Sequence, residues 1–106
     1  TEAGRQALAK AISVVPAKDK YRSEFLFQML LQDYLSPEMM LVAIQKQLND
    51  LNEDLGRIAE CSQKTPVGHG SHFVADYGNA VLTAAVKCLE YKKAELVQHM
   101  AARAAE

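Results

Sequence analysis

The stretch Leu41-Val42-Ala43-Ile44-Gln45-Lys46-Gln47-Leu48-Asn49-Asp50-Leu51-Asn52-Glu53-Asp54-Leu55-Gly56-Arg57-Ile58 decides the fold class. In it Leu41, Ile44, Leu48, Leu51, Leu55 and Ile58 recur at alternating steps of three and four residues. That spacing lines one side of an α-helix, and its strict alternation is the seam of a coiled coil. Gln45, Lys46, Asn49, Asp50, Asn52 and Glu53 fall on the other faces. Just upstream, Leu35-Ser36-Pro37-Glu38 is a helix start. Serine accepts from an otherwise unsatisfied amide, proline has no amide to leave unsatisfied, and glutamate meets the positive end of the helix dipole. The pattern predicts a long helix over 36–63.

Working outward, Pro66, Gly68 and Gly70 are incompatible with a continuing helix and predict a loop over 64–70. A second long helix is expected over 71–104. In it Val74, Val81 and Cys88 form one stripe, and Leu82, Leu89 and Leu96 form another beside it. Phe73, Tyr77, Ala85 and Met100 widen this apolar face. On the N-terminal side, Phe25, Leu26, Phe27, Met29, Leu30 and Leu31 surround most of a helix circumference. This predicts a buried helix within 19–35, capped by Asp19 or Ser23. Thr1 can cap a short first helix carrying Leu8 and Ile12 one turn apart. Pro16 ends that segment, placing it within 1–15.

The 106 residues allow a single helical domain, 1–106. Twelve Lys and Arg against thirteen Asp and Glu give a net charge of −1, which excludes a strongly basic phosphate-gripping surface. The longest apolar run, Met39 to Ile44, is far short of the roughly 18 residues a membrane span needs. Two cysteines are too few for a disulfide framework and fit a reducing cytoplasm. Sixteen alanines favour helix yet bury little area, so the large apolar side chains must be shared out sparingly.

Helices of this length reach roughly 35–50 Å, whereas a compact chain of this size has a radius of gyration near 13 Å. The two seams run nearly to the helix ends, and one pair of helices cannot cover both stripes of the second. The fold class expected is therefore all-α: a short N-terminal helix, one buried helix and two long antiparallel helices. A second copy is expected to complete them as an intertwined helical-bundle homodimer. Leu41, Ile44, Leu48, Leu51, Leu55 and Ile58 supply one seam. Val74, Tyr77, Val81, Leu82, Cys88, Leu89 and Leu96 supply the other seam and the partner contact.

Little points to catalysis. His69, His72 and Asp76 have a usable metal-ligand spacing, but a site wants three or four donors and no further Cys or His lies near in sequence. No metal and no cofactor is assigned. Cys61 and Cys88 are best read as small buried apolar side chains, since nothing basic borders Cys61 and Lys87, next to Cys88, points to a different face. Ser71 with His69 or His72 lacks the orienting acid of a triad. Gly68-His69-Gly70 lacks the strand and lysine of a phosphate loop. Asp33, Glu38, Glu53, Asp54 and Glu60 read as solvated helix charges. Phe25, Phe27, Met29, Tyr34, Met40 and Tyr77 are candidates for an apolar ligand pocket between helices.

The ordered pieces of the chain resemble a known family. Thr1-Glu2-Ala3-Gly4-Arg5-Gln6-Ala7-Leu8 is similar to the stretch that follows the wing of winged-helix repressors of the PadR family. Ser23-Glu24-Phe25-Leu26-Phe27-Gln28-Met29, Leu35-Ser36-Pro37-Glu38 and the helix from Gln45 to Ile58 resemble the segments that come next. Asp76-Tyr77-Gly78, continued through Glu90, Glu95 and Leu96, resembles the last helix. Ser23 stands where the family has an acidic residue, and Thr65 to His72 match nothing in it. The resemblance implies the C-terminal dimerisation domain of a PadR-like, virulence-activator-like transcription regulator. Residues 1–15 are then expected to be the helix leaving a winged-helix domain that lies upstream of Thr1. It also implies that DNA is bound through that upstream domain only, and that a small hydrophobic or aromatic effector is sensed. The competing expectation is a self-contained bundle that binds a small hydrophobic ligand or a metal. A small enzyme built on His69 and His72 is the third.

Overall fold

The computed structural model describes residues 1–64 and 66–106. Those residues form four α-helices and one 3-10 turn: α1 Glu2–Ile12, α2 Glu24–Leu30, the turn Gln32–Tyr34, α3 Pro37–Lys64 and α4 Gly70–Ala105. No strand occurs among the described residues. Local chemistry sets the helix starts. Thr1 Oγ1 accepts from the Gly4 amide at 3.0 Å, Ser23 Oγ from Leu26 at 3.1 Å, and Ser36 Oγ from Met39 at 3.1 Å. Ser23, rather than Asp19, is thus the cap of α2. Between α3 and α4 the backbone turns at Gly68, whose φ of 87° is a region where a Cβ is strained. His69 then caps α4, its ring nitrogen accepting from the Ser71 amide. Thr65, part of the expected 64–70 loop, lies outside the described residues.

The framework is a hairpin of α3 and α4. Gln45 meets Lys93 at one end of it, and Ile58 lies beside Gly78 at the other, so the two helices run antiparallel. Ile44, Leu48 and Leu51 are the buried core, and Leu41, Leu55 and Ile58 continue their line half-buried. From α4 the facing line is Ala75, Gly78, Leu82, Ala85, Leu89, Leu96 and Met100, all half-buried. Gly78 permits the closest approach: a Cβ there would sit 3.2 Å from Ile58 Cδ1. Lys93 lies in the same line, and its Nζ donates to Gln45 Oε1 at 2.6 Å across the part-buried seam.

The second helix departs from expectation. It is seven residues long, packs on α3 by one side, and holds no buried residue. Leu26, Phe27, Leu30, Leu31 and Tyr34 are exposed instead of enclosed. An apolar circumference shows that a helix needs cover on all sides, and the hairpin offers only one. All of residues 1–22, including α1, are exposed as well.

The result is a thin, elongated molecule, 72 × 29 × 16 Å, with a radius of gyration of 19.9 Å. Its accessible surface is 8985 Å². A compact monomer of this mass exposes about 5900 Å², so roughly 3000 Å² is in excess.

Candidate helix-pairing surface and groove

Two surfaces of the hairpin carry apolar side chains that nothing covers. The first is an outer stripe on α4. Val74, Tyr77, Val81 and Tyr91 are 69%, 65%, 49% and 65% exposed, and Ala84 and Cys88 between them are exposed too. The stripe lies one residue, about 100° of helix rotation, from the line that faces α3. The two stripes expected on this helix are therefore distinct in role. Leu82, Leu89 and Leu96 pack inward, while Val74, Tyr77, Val81 and Cys88 point to the side and are exposed.

The second surface is a groove of about 660 Å³ between α2, the start of α3 and the last turns of α4. Phe25, Leu26 and Met29 form one wall, Met40 and Ile44 the floor, and Leu89 and Leu96 the other wall. Cys88, Lys92, Glu95 and His99 line its α4 edge, with Gln32 opposite. Of the six expected pocket residues, Phe25, Met29 and Met40 come together here. Phe27 does not: it lies two residues, about 200°, from Phe25 and borders a separate hollow with Tyr21 and Arg22. Tyr34 is exposed on the 3-10 turn, and Tyr77 belongs to the outer stripe. Leu89, Leu96 and His99 were missed as groove residues. Their signal is the step of three to four that puts each on the side of α4 nearest α2.

The charged and reactive side chains assemble no further site. His72 Nδ1 lies 3.2 Å from Asp76 Oδ2, while His69 Nδ1 pairs with Ser71 Oγ at 2.8 Å. No group of three His, Cys, Asp or Glu able to hold a metal exists among the described residues. Cys61 and Cys88, expected to be buried, are both exposed. The hairpin register places them on different levels, about 18 Å apart along the axis, too far for a disulfide within one chain. The remaining ion pairs are solvent-facing: Lys46–Asp50 at 2.8 Å, Arg57–Glu53 at 2.9 Å, Arg57–Asp54 at 3.3 Å and Lys92–Glu95 at 3.6 Å. The Asp50 hydrogen bond, aided by its charge, raises the Lys46 pKa. No described helix is long and apolar enough to cross a membrane.

The fold is thus an all-helical one, a long antiparallel helix pair preceded by two short helices. The PadR-like transcriptional regulator BC1756 from Bacillus cereus shares it, with a TM-score of 0.83 and 24% sequence identity. The match covers 93% of this chain and 61% of that one, so this chain spans about three fifths of that regulator's length. No family model matches the sequence, and no curated protein does. The resemblance to PadR-like regulators read from the residues is thus borne out at the level of the fold.

Proposed function

We propose that this chain is the helical dimerisation domain of a bacterial PadR-like transcription regulator, acting in the cytoplasm. It is a binding module, not an enzyme. The observation that carries this reading is the likeness to the Bacillus cereus regulator over nearly the whole chain. The uncovered apolar surface supports it. An excess of roughly 3000 Å² per chain, about 6000 Å² for two, is more than enough to supply the roughly 2000–5000 Å² that obligate dimers bury in total. In such a protein an upstream winged-helix domain contacts DNA, and the paired hairpins set the separation of two such domains. The near-neutral charge of this chain agrees with a part that does not itself grip phosphates. Sedimentation of the 106-residue chain at micromolar concentration is expected to give twice its 11.7 kDa mass. A single 11.7 kDa species would overturn the reading.

The groove favours an added role in effector sensing. Its apolar walls and a rim of Gln32, Lys92, Glu95 and His99 suit a small hydrophobic molecule with a polar end. Because three helices form it, a ligand that prefers one packing biases the hairpin's geometry and through it the spacing of the DNA-binding domains. An environment-sensitive apolar dye should bind the chain, and Met29→Glu should abolish that binding. Equal binding by the variant would remove the groove from the account.

A further inference from the structure

The outer stripe of α4 is its own complement. From Val74 through Tyr77, Val81, Ala84 and Cys88 to Tyr91 the steps are 3, 4, 3, 4 and 3, a series identical in both directions. A two-fold axis crossing the helix midway between Val81 and Ala84 therefore maps the stripe onto itself, antiparallel. It sets Val81 against the partner's Ala84, Tyr77 against the partner's Cys88, and Val74 against the partner's Tyr91. Each contact joins a larger side chain with a smaller one, which lets the two helices close without voids. A parallel pairing instead stacks Tyr77 on the partner's Tyr77 and Ala84 on the partner's Ala84. That arrangement is overpacked at one level and hollow at the next.

The same register has a consequence at the groove. Continuing it by one turn brings the partner's Phe73 opposite Lys92. Cys88 and Lys92 are two of the four residues that line the α4 edge of the groove. Phe73, 76% exposed, and Tyr77, 65% exposed, are large aromatic side chains with no cover in the single chain. We infer that α4 pairs antiparallel with α4 of a second copy in this register, so that the partner's Phe73 and Tyr77 close the mouth of the groove. The groove is then a composite site, incomplete in one chain and present twice in the dimer. The inference rests on the dimer reading above and adds the helix, the direction and the register to it.

Disulfide trapping tests it. In a Cys61→Ser background, Cys88 is the only thiol. In the proposed pairing it lies about 16 Å along the axis from the partner's Cys88, beyond disulfide reach. Adding Tyr77→Cys puts two thiols opposite each other at two places. Under mild oxidation the single-thiol protein is expected to stay monomeric on a non-reducing gel, while the Tyr77→Cys protein runs mostly as a covalent dimer. Val74→Cys with Tyr91→Cys, in a chain lacking both native thiols, provides a second pair that leaves Tyr77 in place. Circular dichroism checks that each variant keeps its helix content. Efficient trapping through Cys88 alone would overturn the register in favour of a parallel pair. A dimer by sedimentation that neither engineered pair traps would overturn it while leaving the dimer reading intact. A monomer would end both.

Discussion

α3 and α4 share one seam, yet they differ in what they show to the outside. Away from the hairpin, α3 carries Lys46, Asp50, Glu53, Asp54 and Arg57, joined in i,i+3 and i,i+4 ion pairs. Met39 and Val42, near its start, are its only large exposed apolar residues. α4 turns outward a second apolar line, from Val74 to Tyr91. The chain's own helices therefore cover most of the apolar surface of α3, whereas α4 keeps an apolar line uncovered. The contrast teaches that the hairpin has a charged side and an uncovered apolar side, and that the apolar side, where the proposed partner would sit, belongs to the second helix.

The largest test of that contrast strikes the seam both helices share. Leu48 is 1% exposed, and Leu48→Ala is expected to destabilise the chain by about 2–5 kcal/mol in a denaturant titration. A loss well below that range would mean the hairpin seam is not the core. Next comes the outer line. Val81→Asp places a charge at the centre of the proposed helix pair and should weaken association by on the order of 2 kcal/mol or more. Sedimentation would show a shift toward monomer. The matching change on α3, Asn52→Asp, should leave the mass unchanged; a comparable shift there would erase the distinction between the two faces.

Smaller effects sharpen the picture of α3. Gly56 lies mid-helix with nothing within 4 Å of a Cβ built on it. Gly56→Ala should therefore stabilise by about 0.5–1 kcal/mol through helix propensity alone, read as a raised melting temperature. A destabilised variant would reveal close contact on this face, as from an unsuspected partner. The smallest effect is one of pH. The Asp50 hydrogen bond raises the Lys46 pKa above its ordinary 10.5. A raised lysine pKa stabilises the fold at pH values below the unfolded pKa, and the benefit is lost as pH rises through the folded one. The stability gap between the parent and Asp50→Asn should thus shrink between neutral pH and about pH 11. A gap that grows with pH would contradict the sign.

Much of this fold was legible in the residues. The α3 seam, its Ser36 start and the break at Pro66 and Gly68 follow from spacing and local chemistry, which act within a few residues. The two stripes of α4 were legible as well, but not which one faces α3. Periodicity locates a face without giving it a neighbour. The leucines fill the inner line, and the small Gly78 lets Ile58 approach, which only the packed pair displays. The second helix was misjudged for a related reason. Its apolar girdle reports a need for cover, and a short segment in a lone chain cannot meet that need. Of the groove, Phe25 and Met29 share a helix face four residues apart and could be joined in advance. Their companions Leu89, Leu96 and His99 come from more than fifty residues away.

Lys93 gives the hairpin a fixed index mark. It is the one charged residue in an otherwise apolar α4 line, and its hydrogen bond to Gln45 is satisfied at one alignment of the two helices. Slipping α3 by about one turn, until Leu41 or Leu48 stood where Gln45 is, would leave the ammonium against a leucine without its acceptor. Slippage by one turn is thereby made costly. On the proposed effector reading, a ligand in the groove would then act by tilting the hairpin and not by sliding one helix along the other.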